Sequence, residues 1–212
     1  MERPKPFALL PHSAPRRITD PLVGVIARTG VTPNQLSVAG FTGNVGAAAL
    51  AARGQFLPAG LLMLGASALD LLDGALARAT GRESPFGAVL DSVLDRLSEA
   101  AVLSGLAFYF AGKGRREEVA LCAAALAGSL LVSYVRARAL EYGFDLREGF
   151  FTRVERVLLL SGGLIIGQVR IALWVLAVMA NVTAAQRVYA VRRRFGNEDV
   201  AAPESKEDEE GQ

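Results

Sequence analysis

One cysteine, one histidine and one tryptophan are all that the 212 residues supply. With Cys122 alone, no disulfide can form within the chain, which excludes a small secreted scaffold stapled by such bonds. With His12 alone, a zinc centre built from cysteine and histidine is excluded. A Ser-His-Asp triad would have to recruit His12 from a proline-rich N-terminal stretch, which argues against that chemistry. Charge is scarce locally rather than overall. The charged fraction is 21% and the formal net charge is +2, close to the usual content of soluble chains. The mean hydropathy is nevertheless +0.32, so the charges are unevenly placed. A chain that is 51% hydrophobic buries too much to be disordered.

The uncharged stretches are what fills the sequence. Residues 34–52, 56–69, 100–112, 119–135, 157–169 and 171–186 carry no Asp, Glu, Lys or Arg. Each approaches the about 20 apolar residues that span a bilayer once its polar end is included. The pattern predicts six helices near 33–53, 56–81, 85–111, 117–142, 153–169 and 170–194, joined by short turns such as Arg53-Gly54-Gln55. Gly40, Gly43, Gly46 and the alanine runs suit close helix packing in lipid. The expected fold is therefore all-α: a polytopic membrane protein with six transmembrane helices. A soluble helical protein with buried helices is the alternative.

Basic residues set the expected orientation. If the N-terminus is cytoplasmic, that side collects most of the Lys and Arg, while the other holds only Arg53, Lys113, Arg115, Arg116 and Arg170. The positive-inside bias then places both termini in the cytoplasm. The first 20 residues have no apolar segment of signal-peptide type. Residues 15–30 alternate apolar and basic positions at helical spacing and are expected to form an amphipathic interfacial helix. Residues 196–212 are expected to be a disordered acidic tail. The organisation expected is thus an N-terminal segment over 1–30, a six-helix catalytic domain over 31–195, and the tail over 196–212.

Four acids break the apolar pattern. Asp70 and Asp73 stand at i and i+3, with Ala77 on the same helix face; Asp91 and Asp95 stand at i and i+4 on the next helix. If those helices form an antiparallel hairpin turning near residues 81–85, all four carboxylates converge. An aspartate at a transmembrane helix centre costs roughly 2.5–3.5 kcal/mol, so four demand compensation. Arg78 and Arg96 supply part of it. Oxygen donors without His or Cys favour a hard divalent cation, Mg²⁺ or Mn²⁺, and two such ions suit phosphoryl chemistry. Polar helix packing and a divalent-cation or proton transporter are the competing explanations.

The complete pattern, Asp70-x2-Asp73-Gly74-x2-Ala77-Arg78-x8-Gly87-x3-Asp91-x3-Asp95, resembles the signature of the CDP-alcohol phosphotransferases. A chance match has odds of roughly 10⁻¹⁰ per start position. The resemblance covers about residues 15–195 and implies cleavage of a CDP-linked donor, with transfer of its substituted phosphate to an alcohol and release of CMP. It implies that Asp70, Asp73 and Asp91 bind two divalent metals and that Asp95 is the general base. It implies donor contacts at Gly74, Ala77, Arg78 and Gly87, with Ser84 and Thr32-Pro33-Asn34 near the cytidine. A plain helix start is the other explanation of Thr32-Pro33-Asn34. The glycines leave room for a ligand to approach the backbone.

The second half bears on the acceptor. Ser133-Tyr134-Val135-Arg136-Ala137-Arg138, then Arg153-Val154-Glu155-Arg156, then Gln186-Arg187 are similar to stretches of the phosphatidylinositol phosphate synthases of actinobacteria. The resemblance implies that Arg136, Arg153 and Arg187 hold the phosphate of inositol 1-phosphate. Two departures are visible: Arg136 replaces a lysine, and Thr152 and Val154 stand where that group often has Glu and Pro. The positive-inside bias would also place arginines here. The expected reaction joins CDP-diacylglycerol and inositol 1-phosphate; the alternative acceptor is glycerol 3-phosphate, as in phosphatidylglycerol phosphate synthase. The expected setting is the cell membrane, with a cytoplasmic active site, membrane lipids around it, a homodimer as the family resemblance implies, and no nucleic-acid partner.

Overall fold

A computed structural model describes residues 23–24, 26–144, 146 and 151–201. All regular structure among the described residues is helical. Helix α1 is described at residues 23–24 and 26–28. It is followed by α2 (Pro33–Ala52), α3 (Phe56–Thr80), α4 (Pro85–Gly112), α5 (Arg116–Glu141), α6 (Arg153–Ile166) and α7 (Val169–Ala201).

Local chemistry explains the boundaries. Thr32 caps α2: its hydroxyl accepts from the Gln35 N–H at 3.3 Å, and Gln35 Oε1 accepts from the Thr32 N–H at 2.9 Å. Pro33 then occupies the first turn, where its missing donor costs nothing. Ser84 and Pro85 repeat the arrangement at α4, with the Gly87 N–H donating to Ser84 Oγ at 3.0 Å. Thr152 and Glu155 form a capping box at α6. Helix α3 stops at Gly81 and α6 at Gly167, both at positive φ (64° and 78°).

Two boundaries differ from the sequence-based expectation. Helix α6 ends at Ile166 because Gly167 turns the chain. Helix α7 continues to Ala201, past the tail boundary placed at 196; the next proline is Pro203, and the composition before it does not by itself stop a helix. Residues 202–212 of the expected tail, and residues 15–22 of the expected amphipathic segment, lie outside the described residues.

Packing contacts run α2 to α4, α4 to α5, α5 to α7, α7 to α6, α6 to α3, and α3 back to α2, closing a ring. This corrects the expected α3–α4 hairpin, because α3 and α4 are not packed neighbours in the ring. The turn at 81–84 does join those helices, but α2 packs against both. Small residues permit such close approaches. A methyl group on Gly105 of α4 would overlap the Ala48 carbonyl oxygen of α2.

The apolar core occupies one end of the bundle. It gathers Ala47 and Ala51 from α2, Met63 from α3, Leu103 and Leu106 from α4, Cys122 from α5, Leu160 and Leu164 from α6, and Leu173 and Leu176 from α7. A small second cluster docks α1, through Val23, onto Leu36 and Leu76. Around the outside, Leu57, Leu61, Phe86, Val89, Phe108, Leu131, Ile166, Ile171 and Val178 are exposed. So large an apolar exterior marks an interaction surface.

Helices α3 (Phe56–Thr80), α5 (Arg116–Glu141) and the Val169–Phe195 part of α7 are long and apolar enough to cross a membrane. The other three long helices fall short of that measure. Small and amide residues dilute the hydropathy of α2, and acids and an arginine interrupt the first half of α4. Helix α6 has 14 residues, about 21 Å at 1.5 Å per residue.

Candidate active site

Alternating helix directions bring the starts of α2, α4 and α6 and the ends of α3 and α5 to one end of the bundle, together with the C-terminal part of α7. The motif residues meet there, with a cavity on each side of them.

The first cavity, of about 220 Å³, is lined by Pro33, Asn34 and Ser37 of α2, by Asp73, Gly74, Ala77 and Arg78 of α3, and by Arg82, Glu83, Ser84, Gly87, Ala88 and Asp91. Every residue expected to touch the donor lines it, apart from Thr32. The Thr32 side chain is used in the α2 cap. Two metal-ligand candidates, Asp73 and Asp91, border this cavity.

The second cavity is larger, about 580 Å³, and belongs to α4, α5, α6 and α7. Asp95, Arg96 and Glu99 line it together with Ser92, Ser133, Arg136, Thr152, Arg153, Arg156 and Arg187. All three arginines expected to hold the acceptor phosphate are here, and so is the expected base. The arginines are held differently. Arg136 is exposed. Arg187 is buried and donates to the Val132 carbonyl at 2.6 Å.

Arg153 stands between acids. Its Nη2 donates to Asp70 Oδ2 at 2.7 Å and forms an ion pair with Asp95 Oδ1 at 2.8 Å. One guanidinium thus ties α3 and α4 to α6. This supplies positive charge that the clustered aspartates require. It comes from a residue 83 positions away from Asp70, so helical spacing within the motif does not reveal it.

Sequence reasoning missed Ser37 and Glu99, and read Gly40 only as a helix-packing position. Ser37 donates to Asp73 Oδ2, across the α2–α3 contact. Gly40 faces Asp70: a methyl group there would overlap Asp70 Oδ1 and lie 3.0 Å from the Ala66 carbonyl oxygen. Glu99 receives both Nε (2.9 Å) and Nη2 (3.1 Å) of Arg156. A signal existed for Glu99, which continues the row Asp91, Asp95 by four more residues. No local pattern marks Ser37, while the spacing of Gly40, Gly43 and Gly46 marks close helix packing but not the carboxylate beside it.

The donor set has the chemistry of a hard-cation site: four carboxylates from two helices, in a motif that contains neither His nor Cys. As the side chains stand, no three His, Cys, Asp or Glu groups among the described residues surround one point. Asp70 and Asp95 face Arg153, and Asp73 faces Ser37. The residues fit a divalent cation by type and by helix placement.

An all-helical bundle whose carboxylates separate a small glycine-lined cavity from an arginine-lined one has the layout of a two-substrate transferase of anionic compounds. The sequence matches the CDP-alcohol phosphatidyltransferase family over residues 30–190, and the chain belongs to that family. It is 36% identical over 206 residues to a phosphatidylinositol phosphate synthase of Mycobacteroides abscessus, covering 91% of each chain. It is 38% identical over 171 residues to an archaetidylinositol phosphate synthase of Pyrococcus horikoshii, covering 80% of this chain and 88% of the relative. The fold is similar to the crystal structure of Mycobacterium tuberculosis phosphatidylinositol phosphate synthase with CDP-DAG bound. There the TM-score is 0.76 at 33% identity, over 82% of this chain and 94% of that one. The same M. tuberculosis protein has been solved in complex with manganese and citrate, with a TM-score of 0.76 at 32% identity, over 82% and 88% of the two chains. The protein is accordingly an enzyme, a transferase of phospholipid biosynthesis.

Proposed function

We propose that the protein transfers the phosphatidyl group of CDP-diacylglycerol to inositol 1-phosphate, giving phosphatidylinositol phosphate and CMP. The observation that carries this reading is the pair of cavities. Glycines and Arg78 line the smaller one, while Asp95 and five arginines line the larger one. A nucleotide diphosphate and a phosphorylated alcohol then enter from opposite sides of the carboxylates.

In this reading Arg78 pairs with the donor diphosphate, and Gly74 and Gly87 admit the nucleotide against the helix backbone. Asn34, Pro33, Ser84 and Ala77 line the cytidine side, and Thr32 supports them by fixing the start of α2. Arg136, Arg153 and Arg187 hold the acceptor phosphate through charge-assisted hydrogen bonds. Asp95 takes the proton of the acceptor hydroxyl. The hydroxyl oxygen attacks the phosphorus bearing diacylglycerol, the bond from that phosphorus to the CMP oxygen breaks, and CMP leaves. Asp70, Asp73 and Asp91 would hold divalent cation, Mg²⁺ or Mn²⁺ and two ions per site, which supplies charge neutralisation at the diphosphate.

The same reading takes all six long helices as membrane-embedded, with the site and both termini on the cytoplasmic side, as the arginine distribution supports. The outward faces of α4 and α6 are then apolar, with Phe86, Val89 and Val93 on α4 and Leu158 and Ile166 on α6, while Asp95, Glu99, Arg153 and Arg156 turn to the cavity between helices. The homodimer implied by the family resemblance belongs to the same proposal. Relatives named for an inositol phosphate product on two different lipid types support the acceptor assignment.

The test is CMP release by the purified enzyme from CDP-diacylglycerol with a panel of acceptors. Release with inositol 1-phosphate is the expected result. Release with glycerol 3-phosphate alone overturns the acceptor assignment.

A further inference from the structure

Two rungs of ion pairs connect α4 to α6. Asp91, Asp95 and Glu99 follow one another at four-residue spacing on α4, and Arg153 and Arg156 are three apart on α6. The first rung is Arg153 with Asp95 at 2.8 Å, extended to Asp70 at 2.7 Å. In the second, Arg156 grips Glu99 with two nitrogens, at 2.9 and 3.1 Å. Ser129 of α5 donates to Glu99 Oε1 at 2.7 Å, and Arg156 Nη1 donates to the Phe151 carbonyl at 3.4 Å. Both members of the second rung are buried, Glu99 at 9% exposure and Arg156 at 4%, yet both border the arginine-lined cavity.

We propose that Glu99 is a positioning residue for the acceptor step. By clamping Arg156 it sets the register of α6 against α4, and so places Arg153 between Asp95 and Asp70. It also neutralises Arg156, leaving the acceptor phosphate to Arg136, Arg153 and Arg187. This rests on the reading of the larger cavity as the acceptor site.

The reason lies in what a two-pronged pair does and an apolar pair does not. A planar guanidinium on a carboxylate fixes distance and rotation together. Arg153 sits three residues from Arg156 on the same helix, so a slip of the lower rung moves the upper one equally. A misplacement of about 1 Å near reacting groups costs on the order of 100-fold in rate. Stability alone does not require the pair, because well-packed apolar residues of similar volume often replace a buried ion pair without loss.

That contrast supplies the experiment. The full-length enzyme is prepared with Glu99→Leu and Arg156→Met together, and separately with Arg156→Lys. Thermal unfolding is measured, along with KM for CDP-diacylglycerol and for inositol 1-phosphate by CMP release. The double variant is expected to unfold near the wild-type temperature, with the acceptor KM raised about 10-fold or more and the donor KM within about twofold. Arg156→Lys keeps the charge without the fork and is expected to raise the acceptor KM about fivefold. Wild-type KM values in the double variant, or an equal rise in both, overturn the proposal. If the double variant does not fold, Arg156→Lys decides alone: an unchanged acceptor KM overturns the proposal. A wild-type enzyme that releases no CMP with inositol 1-phosphate overturns the acceptor reading, and the proposal with it, before any variant is compared.

Discussion

Gly40→Ala is the sharpest single perturbation of the carboxylate cluster, because it adds one methyl group at the contact between α2 and α3. The new carbon would overlap Asp70 Oδ1 and stand 3.0 Å from both Asp70 Cγ and the Ala66 carbonyl oxygen. An ordinary carbon–oxygen contact needs about 3.3 Å. Relief therefore requires the Asp70 carboxylate to move by more than about 1 Å or α2 to withdraw from α3. Helix separation is resisted by the rest of that contact, where Gly43 also packs tightly on Ala66: a methyl group there would stand 2.8 Å from Ala66 Cβ. The carboxylate moves instead and loses its alignment with Arg153. Displacement on that scale near reacting groups costs on the order of 100-fold in kcat, and overpacking costs about 1–3 kcal/mol in stability. The assay is CMP release at saturating donor and acceptor, together with thermal unfolding in the same detergent. Gly65→Ala is the control: it lies on the same helix as Asp70, and its added methyl meets nothing within 4 Å. It is expected to keep wild-type turnover. A Gly40→Ala enzyme with wild-type turnover and unfolding temperature would refute the reasoning that Asp70 is held in place by the space at residue 40.

Three other outcomes are expected. Asp95→Asn should lower kcat by 100-fold or more, since general-base catalysis contributes about 10²–10⁴, while Mn²⁺ binding measured by electron paramagnetic resonance changes little. Near-normal turnover would remove Asp95 from the role of base. Arg153→Ala should destabilise the protein by about 2 kcal/mol, less than for a fully buried pair because Arg153 is 25% exposed, and should raise the acceptor KM more than the donor KM. Equal rises would assign Arg153 to structure alone. Chelation by EDTA should abolish CMP release, with recovery on adding Mg²⁺ or Mn²⁺; undiminished release in EDTA would exclude a divalent requirement.

The parts legible in the sequence are those with a local cause. Thr32-Pro33 and Ser84-Pro85 announce helix starts by satisfying or omitting N–H donors, and the boundaries of α2 and α4 follow closely. Gly81 terminates α3 at the expected place because glycine takes its backbone angles at no cost, whereas the expected α6 ran on past Gly167, which turns the chain in the same way. The motif aspartates could be placed on shared faces because helical periodicity decides it. Most of the smaller cavity's lining was readable for the same reason, since it comes from two consecutive helices and the turn between them.

Other features depend on which helix lies beside which. That α2 packs against both α3 and α4 is a property of the closed ring, and it brings Ser37 to Asp73 and Gly40 to Asp70. Arg153 appeared in the sequence as an acceptor-phosphate ligand, one of several basic residues that topology alone would supply. Folding sets it across 83 residues from Asp70 as the cation shared by two acids. Glu99 and Arg156 are 57 residues apart and acquire meaning only as a pair. The amino-acid order by itself determined the helices, most of their ends and the helix face on which each motif aspartate lies, because these depend on neighbours within a few turns. The pairing of charges was left to the tertiary structure, because Coulombic partners in a low-dielectric bundle are chosen by distance in space.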